Sequence, residues 1–224
     1  MIVSSKLPSR RLRAALACLA TGLLAACGSQ DENAKYSASE AGLKDSCTQF
    51  LFVEKGLTEN DKALFVAAGA GNVEGVDRAL DAGANANAAD GLKRTPLFAA
   101  AFCNHPGVAN LLMDKGADAS AADLHGMSPL HGAVIAGSTQ VVQALIAKGA
   151  DVNLRSNAGR GPLHLAAATN QLAMARLLLE KGANAAEKDK AGVTAAALAT
   201  QNGHSDVAAA IHQWQEKHPA VAKK

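Results

Sequence analysis

An all-α solenoid of about five helix-turn-helix repeats, with short hairpin-like turns, is the fold the sequence predicts for residues 61–215. Two observations predict it. Gly83, Gly116, Gly149 and Gly182 lie 33 residues apart, and each is followed by Ala. Thr95-Pro96, Ser128-Pro129 and Gly161-Pro162 keep the same interval, as do Leu64, Leu97, Leu130 and Leu163. Independent markers held in step over this distance mean a stacked array, in which one unit cannot bury its apolar face alone. The repeats fall at about 61–90, 91–123, 124–156, 157–189 and 190–215.

The chain begins with an address. Residues 1–26 carry Lys6, Arg10, Arg11 and Arg13 and no acid, then an apolar run from Ala14 to Ala26 that is too short to span a bilayer as a helix. Leu23-Leu24-Ala25-Ala26-Cys27 resembles the bacterial lipobox. The resemblance implies removal of residues 1–26 as a lipoprotein signal peptide and lipidation of Cys27. Two acyl chains suffice for stable anchoring. Gly28 follows the cysteine where Asp would direct retention, so the outer membrane is the expected site ahead of the inner. A plain signal peptide with Cys27 incidental is the alternative. Four of the 22 basic residues lie in the signal against none of the 20 acidic ones, so the remainder is slightly acidic and offers no basic patch for nucleic acid.

Residues 27–46 are small, polar and charged, and read as a flexible tether. Residues 47–60 carry Phe50, Leu51, Phe52, Val53 and Leu57, and are expected to cap the open end of the first repeat. Repeat three shows the unit most clearly. Gly126 supplies a turn, Ser128 is a candidate N-cap, and Pro129 fits the first helical position. The first helix is expected over Pro129–Ala136 and the second over Thr139–Lys148, with Val141, Val142, Leu145 and Ile146 at helical spacing. Gly71, Asn104, Gly137, Asn170 and Gly203 occupy one register; only the two residue types that best accept a left-handed conformation appear there. Lys93 stands where Gly126, Gly159 and Gly192 sit in other repeats, so a locally different turn is expected in repeat two. Ala-rich first helices allow close helix approach, and the aromatic content of 3% fits an Ala-Leu core. Ile211 and Trp214 are expected to seal the last layer, with Gln213, Gln215 and Glu216 facing water. Residues 216–224 read as a tail.

Thr95–Ala101, Ser128–Val134 and Gly161–Ala167 resemble the ankyrin signature, and so do the second-helix exits "LLMDKGADA", "LIAKGADVN" and "LLLEKGANA". The resemblance implies a recognition scaffold with no catalytic activity and no cofactor. By register it places partner contacts at the turn tips Leu92, Arg94, Leu124, His125, Met127, Asn157, Arg160 and Lys190, and at the helix ends Phe102, Ile135 and Thr169. Leu92, Phe102, Leu124, Met127 and Ile135 form an apolar cluster of the kind that marks partner sites; packing of Phe102 and Ile135 on the cap is the competing reading. His131 and His164 occupy the motif slot in which the family uses histidine structurally. Asp90, Asp123 and Asp189, one per repeat, read as turn-forming carboxylates.

The chemistry-bearing residues do not assemble a catalytic or metal site on paper. His131 and His164 belong to different repeats, and neighbouring helices pack roughly 8–10 Å apart, too far for ligands that must each approach an ion within about 2.0–2.2 Å. With Cys18 in the signal and Cys27 lipidated, Cys47 and Cys103 remain in a compartment that permits disulfides, and a Cys47–Cys103 bridge is expected, two unpaired small hydrophobes being the alternative. The expected function is therefore a non-enzymatic protein-interaction module in the bacterial periplasm. It would be monomeric, metal-free and lipid-anchored, acting as scaffold or helper for an envelope protein. The alternatives are an immunity protein neutralising a periplasm-targeted toxin, a Cys103-dependent enzyme, and an effector acting in a host, against which the lipobox argues.

Overall fold

The computed structural model describes residues 55–218; the signal, the tether, residues 47–54 of the cap and the end of the tail lie outside them. Among the described residues ten helices form five consecutive pairs: α1 Glu59–Ala70 and α2 Val73–Asp81, α3 Pro96–Phe102 and α4 Pro106–Asp114, α5 Pro129–Ile135 and α6 Thr139–Ala147, α7 Pro162–Ala168 and α8 Leu172–Glu180, α9 Ala195–Gln201 and α10 Ser205–Lys217. The fold is the all-α repeat solenoid that the period predicts. The two helices expected in repeat three each end one residue early.

Three of the first helices start at a threonine whose side chain satisfies an orphan amide. Thr58 and Asp61 form a reciprocal capping box on α1. Thr95 and Thr194 accept from the N–H of Phe98 and Ala197, each at 3.2 Å. Pro96, Pro129 and Pro162 open α3, α5 and α7, where a missing N–H costs nothing. The first helix of every repeat is then stopped by a left-handed residue: Gly71, Asn104, Gly137, Asn170 and Gly203 have φ of 72°, 58°, 71°, 59° and 77°. At Gly71 the space is closed as well, since a Cβ would lie 2.5 Å from the His105 ring.

One continuous core runs through the stack. Ala99, Ala100, Ala101, Ala133, Ala166, Ala167 and Ala199 are fully buried, and Leu64, Leu97, Leu112, Leu130, Leu145 and Leu178 fill the layers between them. Because their contact residues are small, the first helices meet more closely than the second helices do; α6 and α8 have the sparsest contact of any neighbouring pair. Position 66 shows which way the layers face. Its equivalents Ala99, Leu165 and Leu198 are buried, whereas Val66, with no repeat before it among the described residues, is 58% exposed. At the other end Ile211 is fully buried and Trp214 packs on the core, as expected. Gln215 departs from expectation: it is half-buried, and its amide donates to the Ala185 carbonyl at 3.2 Å.

Candidate partner-binding face

The turns between repeats are built by one repeated device. The Asp90 carboxylate accepts from the N–H of Leu92 and Arg94, Asp123 from His125 and Met127, and Asp189 from Ala191 and Val193, all at 2.7–3.0 Å. In the fourth repeat Ser156 does part of this work, accepting from the Arg160 N–H at 3.3 Å. Burial alone would raise the Asp189 pKa, but the Val193 N–H, the Arg160 guanidinium and the Ala191 N–H outweigh it and hold the carboxyl below its ordinary value. The left-handed corner of each turn is Gly126, Gly159 or Gly192 at φ of 73–78°. Lys93 corrects the sequence expectation: it adopts φ 60° in the same corner, so repeat two makes the same kind of turn with a side chain that pays conformational strain.

Successive turns are tied together. The N–H of Leu124 donates to the Leu92 carbonyl at 2.9 Å, Asn157 to His125 at 2.8 Å, and Lys190 to Ala158 at 3.0 Å. Two histidines reinforce the row from beneath. His131 Nδ1 accepts the Ser128 N–H at 3.1 Å, which puts the ring proton on Nε2, and Nε2 donates to the Arg160 carbonyl of the next repeat at 3.3 Å. His164 repeats the pattern with the Gly161 N–H and the Val193 carbonyl, at 3.4 and 3.2 Å. Burial pushes the His131 pKa down to about 4, against the pull of the Arg160 and Leu154 carbonyls, and lowers that of His164 in the same way. Both rings are structural links.

The predicted contact residues divide into three groups on this frame. Arg94 and Arg160 are occupied in the turns. The Arg94 guanidinium lies 2.7 Å from Asp90, and Arg160 Nε lies 3.1 Å from Asp189 of the next turn, both arginine side chains being 16% exposed. Met127 and Ile135 pack against the core, Leu92 and Phe102 are half-buried, and Thr169, though exposed, donates its hydroxyl back to the Leu165 carbonyl at 2.8 Å. Leu124, Asn157 and Lys190 stand exposed in one register of adjacent turns, with the half-buried His125 beside Leu124. Leu124 is 47% exposed, and the Asn157 amide donates to its carbonyl at 2.8 Å. The apolar cluster expected over repeats two and three is thus mostly turned inward, leaving Leu124 as its outward member.

Sequence reasoning overlooked a second set of links at the exits of the second helices. Asn85, Asp118, Asp151 and Asn184 each accept from the N–H two residues on, at 2.8–3.0 Å. Asn87 then donates to the Gly116 carbonyl and accepts from the Asp118 N–H, and Asn153 does the same with Gly182 and Asn184. Further links run back from His105 to the Gly69 carbonyl, from Gln171 to Val134 and from His204 to Ala167. The signal lay in the register: Asx recurs at 85, 118, 151 and 184. Among the described residues no group of three or more His, Cys, Asp and Glu is placed to hold a metal ion, and no helix is long and apolar enough to cross a membrane.

Three copies of the family description "Ankyrin repeats" match the chain, over residues 23–123, 64–156 and 130–218. The chain belongs to the ankyrin-repeat family. Comparison with curated proteins gives no match. Ankyrin repeats are protein–protein interaction modules, typically without catalytic activity, and the tied row of turns is the physical form of that role: a framework whose exposed tips keep fixed relative positions.

Proposed function

We propose that this ankyrin-repeat protein is exported, anchored through lipidated Cys27 to the periplasmic face of a bacterial envelope membrane, and holds an envelope protein there as scaffold or helper. The lipobox-like run before Cys27 supports the anchor. The observation that carries the binding role is the exposed row Leu124, Asn157 and Lys190 on hydrogen-bonded turns: one apolar, one amide and one cationic group, held so that a partner does not pay to order them. Cys103-dependent catalysis is disfavoured because Cys103 is only 7% exposed.

The test is a pull-down from envelope extracts with the full chain against a Leu124→Asp plus Lys190→Glu variant. These two positions are exposed, whereas charges at Met127 or Ile135 would strike the core. The expected result is a partner captured by the parent and lost from the variant, with thermal unfolding unchanged. A partner retained by the variant moves the binding face elsewhere. A captured toxin would favour the immunity role over the helper role. Metabolic labelling with a fatty acid, present in the parent and absent in Cys27→Ser, checks the anchor; an unlabelled parent defeats it.

A further inference from the structure

The exposed charges on the four turns, residues 89–93, 122–126, 155–159 and 188–192, are all of one sign. The first three turns each expose two residues: Ala89 and Lys93, Ala122 and Leu124, Arg155 and Asn157. The last exposes Lys188 and Lys190 in the registers of Arg155 and Asn157. No carboxylate is among them. The turns do contain acids, but each is committed inward. Asp90 and Asp189 are only 4% and 6% exposed and Asp123 is half-buried, and all three accept backbone N–H groups of their own turns. Glu187, just ahead of the last turn, lies 2.6 Å from Arg155 and neutralises it. Lys93, Lys188 and Lys190 form no ion pair with a described residue. With Glu59 the exception, the exposed carboxylates among the described residues lie on the second helices and at their exits, Asp114, Asp118, Asp151 and Glu180 among them.

The turn side of the stack is therefore cationic in a chain that is not basic. Its charges also stand in a fixed order. Lys93, Leu124, Asn157 and Lys190 belong to four successive turns joined by backbone hydrogen bonds. Three steps of a packing distance make the row about 24–30 Å long. A strip this long, exposing two residues per turn over most of its length, fits a single segment of chain. Anionic membrane surfaces instead recruit clusters of about four to eight Lys and Arg, more than the three unpaired lysines found here.

We propose that the row binds a linear acidic segment of a partner protein. Carboxylates of the segment face Lys93 at one end and Lys188 and Lys190 at the other, and an apolar side chain rests on Leu124 between them. The inference rests on the proposed binding row and names what that row selects. It also says what the row rejects. A lysine brought to either end meets a cation, and the carboxylates nearby are already bound within the turns, so nothing relieves the repulsion.

The experiment uses the full chain and a phage-displayed library of random peptides of about 20 residues, long enough to cover the row even as a helix. Asp and Glu are expected to be enriched over Lys and Arg in the retained peptides. Fluorescence anisotropy of a retained peptide is then compared between the parent and variants. Changing Lys93, Lys188 and Lys190 to Gln should weaken binding by up to about fivefold for each lysine, and salt raised from about 0.01 to 0.15 M should weaken the parent. Lys181→Gln, an exposed cation at the end of α8, should change nothing. Retained peptides without an acidic excess, no retained peptide, or binding indifferent to the three lysines overturns the inference. So does sedimentation of the Cys27→Ser chain with phosphatidylglycerol vesicles that the lysine changes relieve, which would name a lipid surface instead. The two readings fail separately: loss of binding in Leu124→Asp but not in the lysine variants keeps the row and defeats its acidic selectivity, and binding that survives both sets of changes defeats the row as well.

Discussion

Single residues in this array reveal themselves where the backbone demands a particular side chain. Lys93 holds φ 60° in a corner that three other repeats give to glycine. Lys93→Gly removes that strain and is expected to raise stability by about 1 kcal/mol, read as a shift in urea midpoint at constant slope; an unchanged midpoint would mean that the lysine stem recovers its cost through packing. His131 carries a pH dependence with a definite sign. Its folded pKa, about 4, lies below the ordinary 6.5, so the unfolded chain binds the proton more readily. The stability due to neutral His131 is complete above pH 6.5 and is lost as pH falls toward 4, by up to about 3 kcal/mol. His131→Phe copies the residue used in repeats one and two and cannot titrate. Relative to the parent, its urea midpoint should improve between pH 6.5 and 4.5, and a constant difference over that range would refute the assignment. The left-handed stops and the turn carboxylates were legible in the sequence because their chemistry permits few residue types. The orientation of Met127 and Ile135 was not, because register places a residue on a face without saying how far the neighbouring repeat covers it.

At the scale of elements, each helix pair depends on its neighbours through side chains that reach one layer across. Asn153 ties the exit of α6 to the exit of α8 by two hydrogen bonds, beside the sparsest helix contact in the stack. Asn153→Ala is expected to cost about 1–2 kcal/mol and to speed amide exchange in α8 more than in α4; equal acceleration of both would argue against a local link. Gly71→Ala combines a positive φ with a Cβ 2.5 Å from His105, and should destabilise by about 2–3 kcal/mol, measured by thermal or urea unfolding. These links were only half legible. The recurrence of Asx was visible, but whether an amide bonds within its own loop or to the next layer depends on a stacking distance that periodicity alone does not supply.

The whole molecule is a line of near-identical layers whose stability is a sum of units and interfaces. Its fold could be read from the period, since nothing but neighbour-on-neighbour stacking buries five copies of one apolar pattern. The partner could not, because recognition rests on a few exposed tips that the period leaves free to vary. The two ends of the line are not alike. Val66 is 58% exposed with no repeat before it among the described residues, while α10, the longest helix among those described, closes the opposite side over fully buried Ile211. The stack can therefore be lengthened in one direction only. A consensus module stacked on the first repeat would bury Val66 as the repeats before them bury Ala99, Leu165 and Leu198, whereas one appended after Trp214 would meet a finished surface.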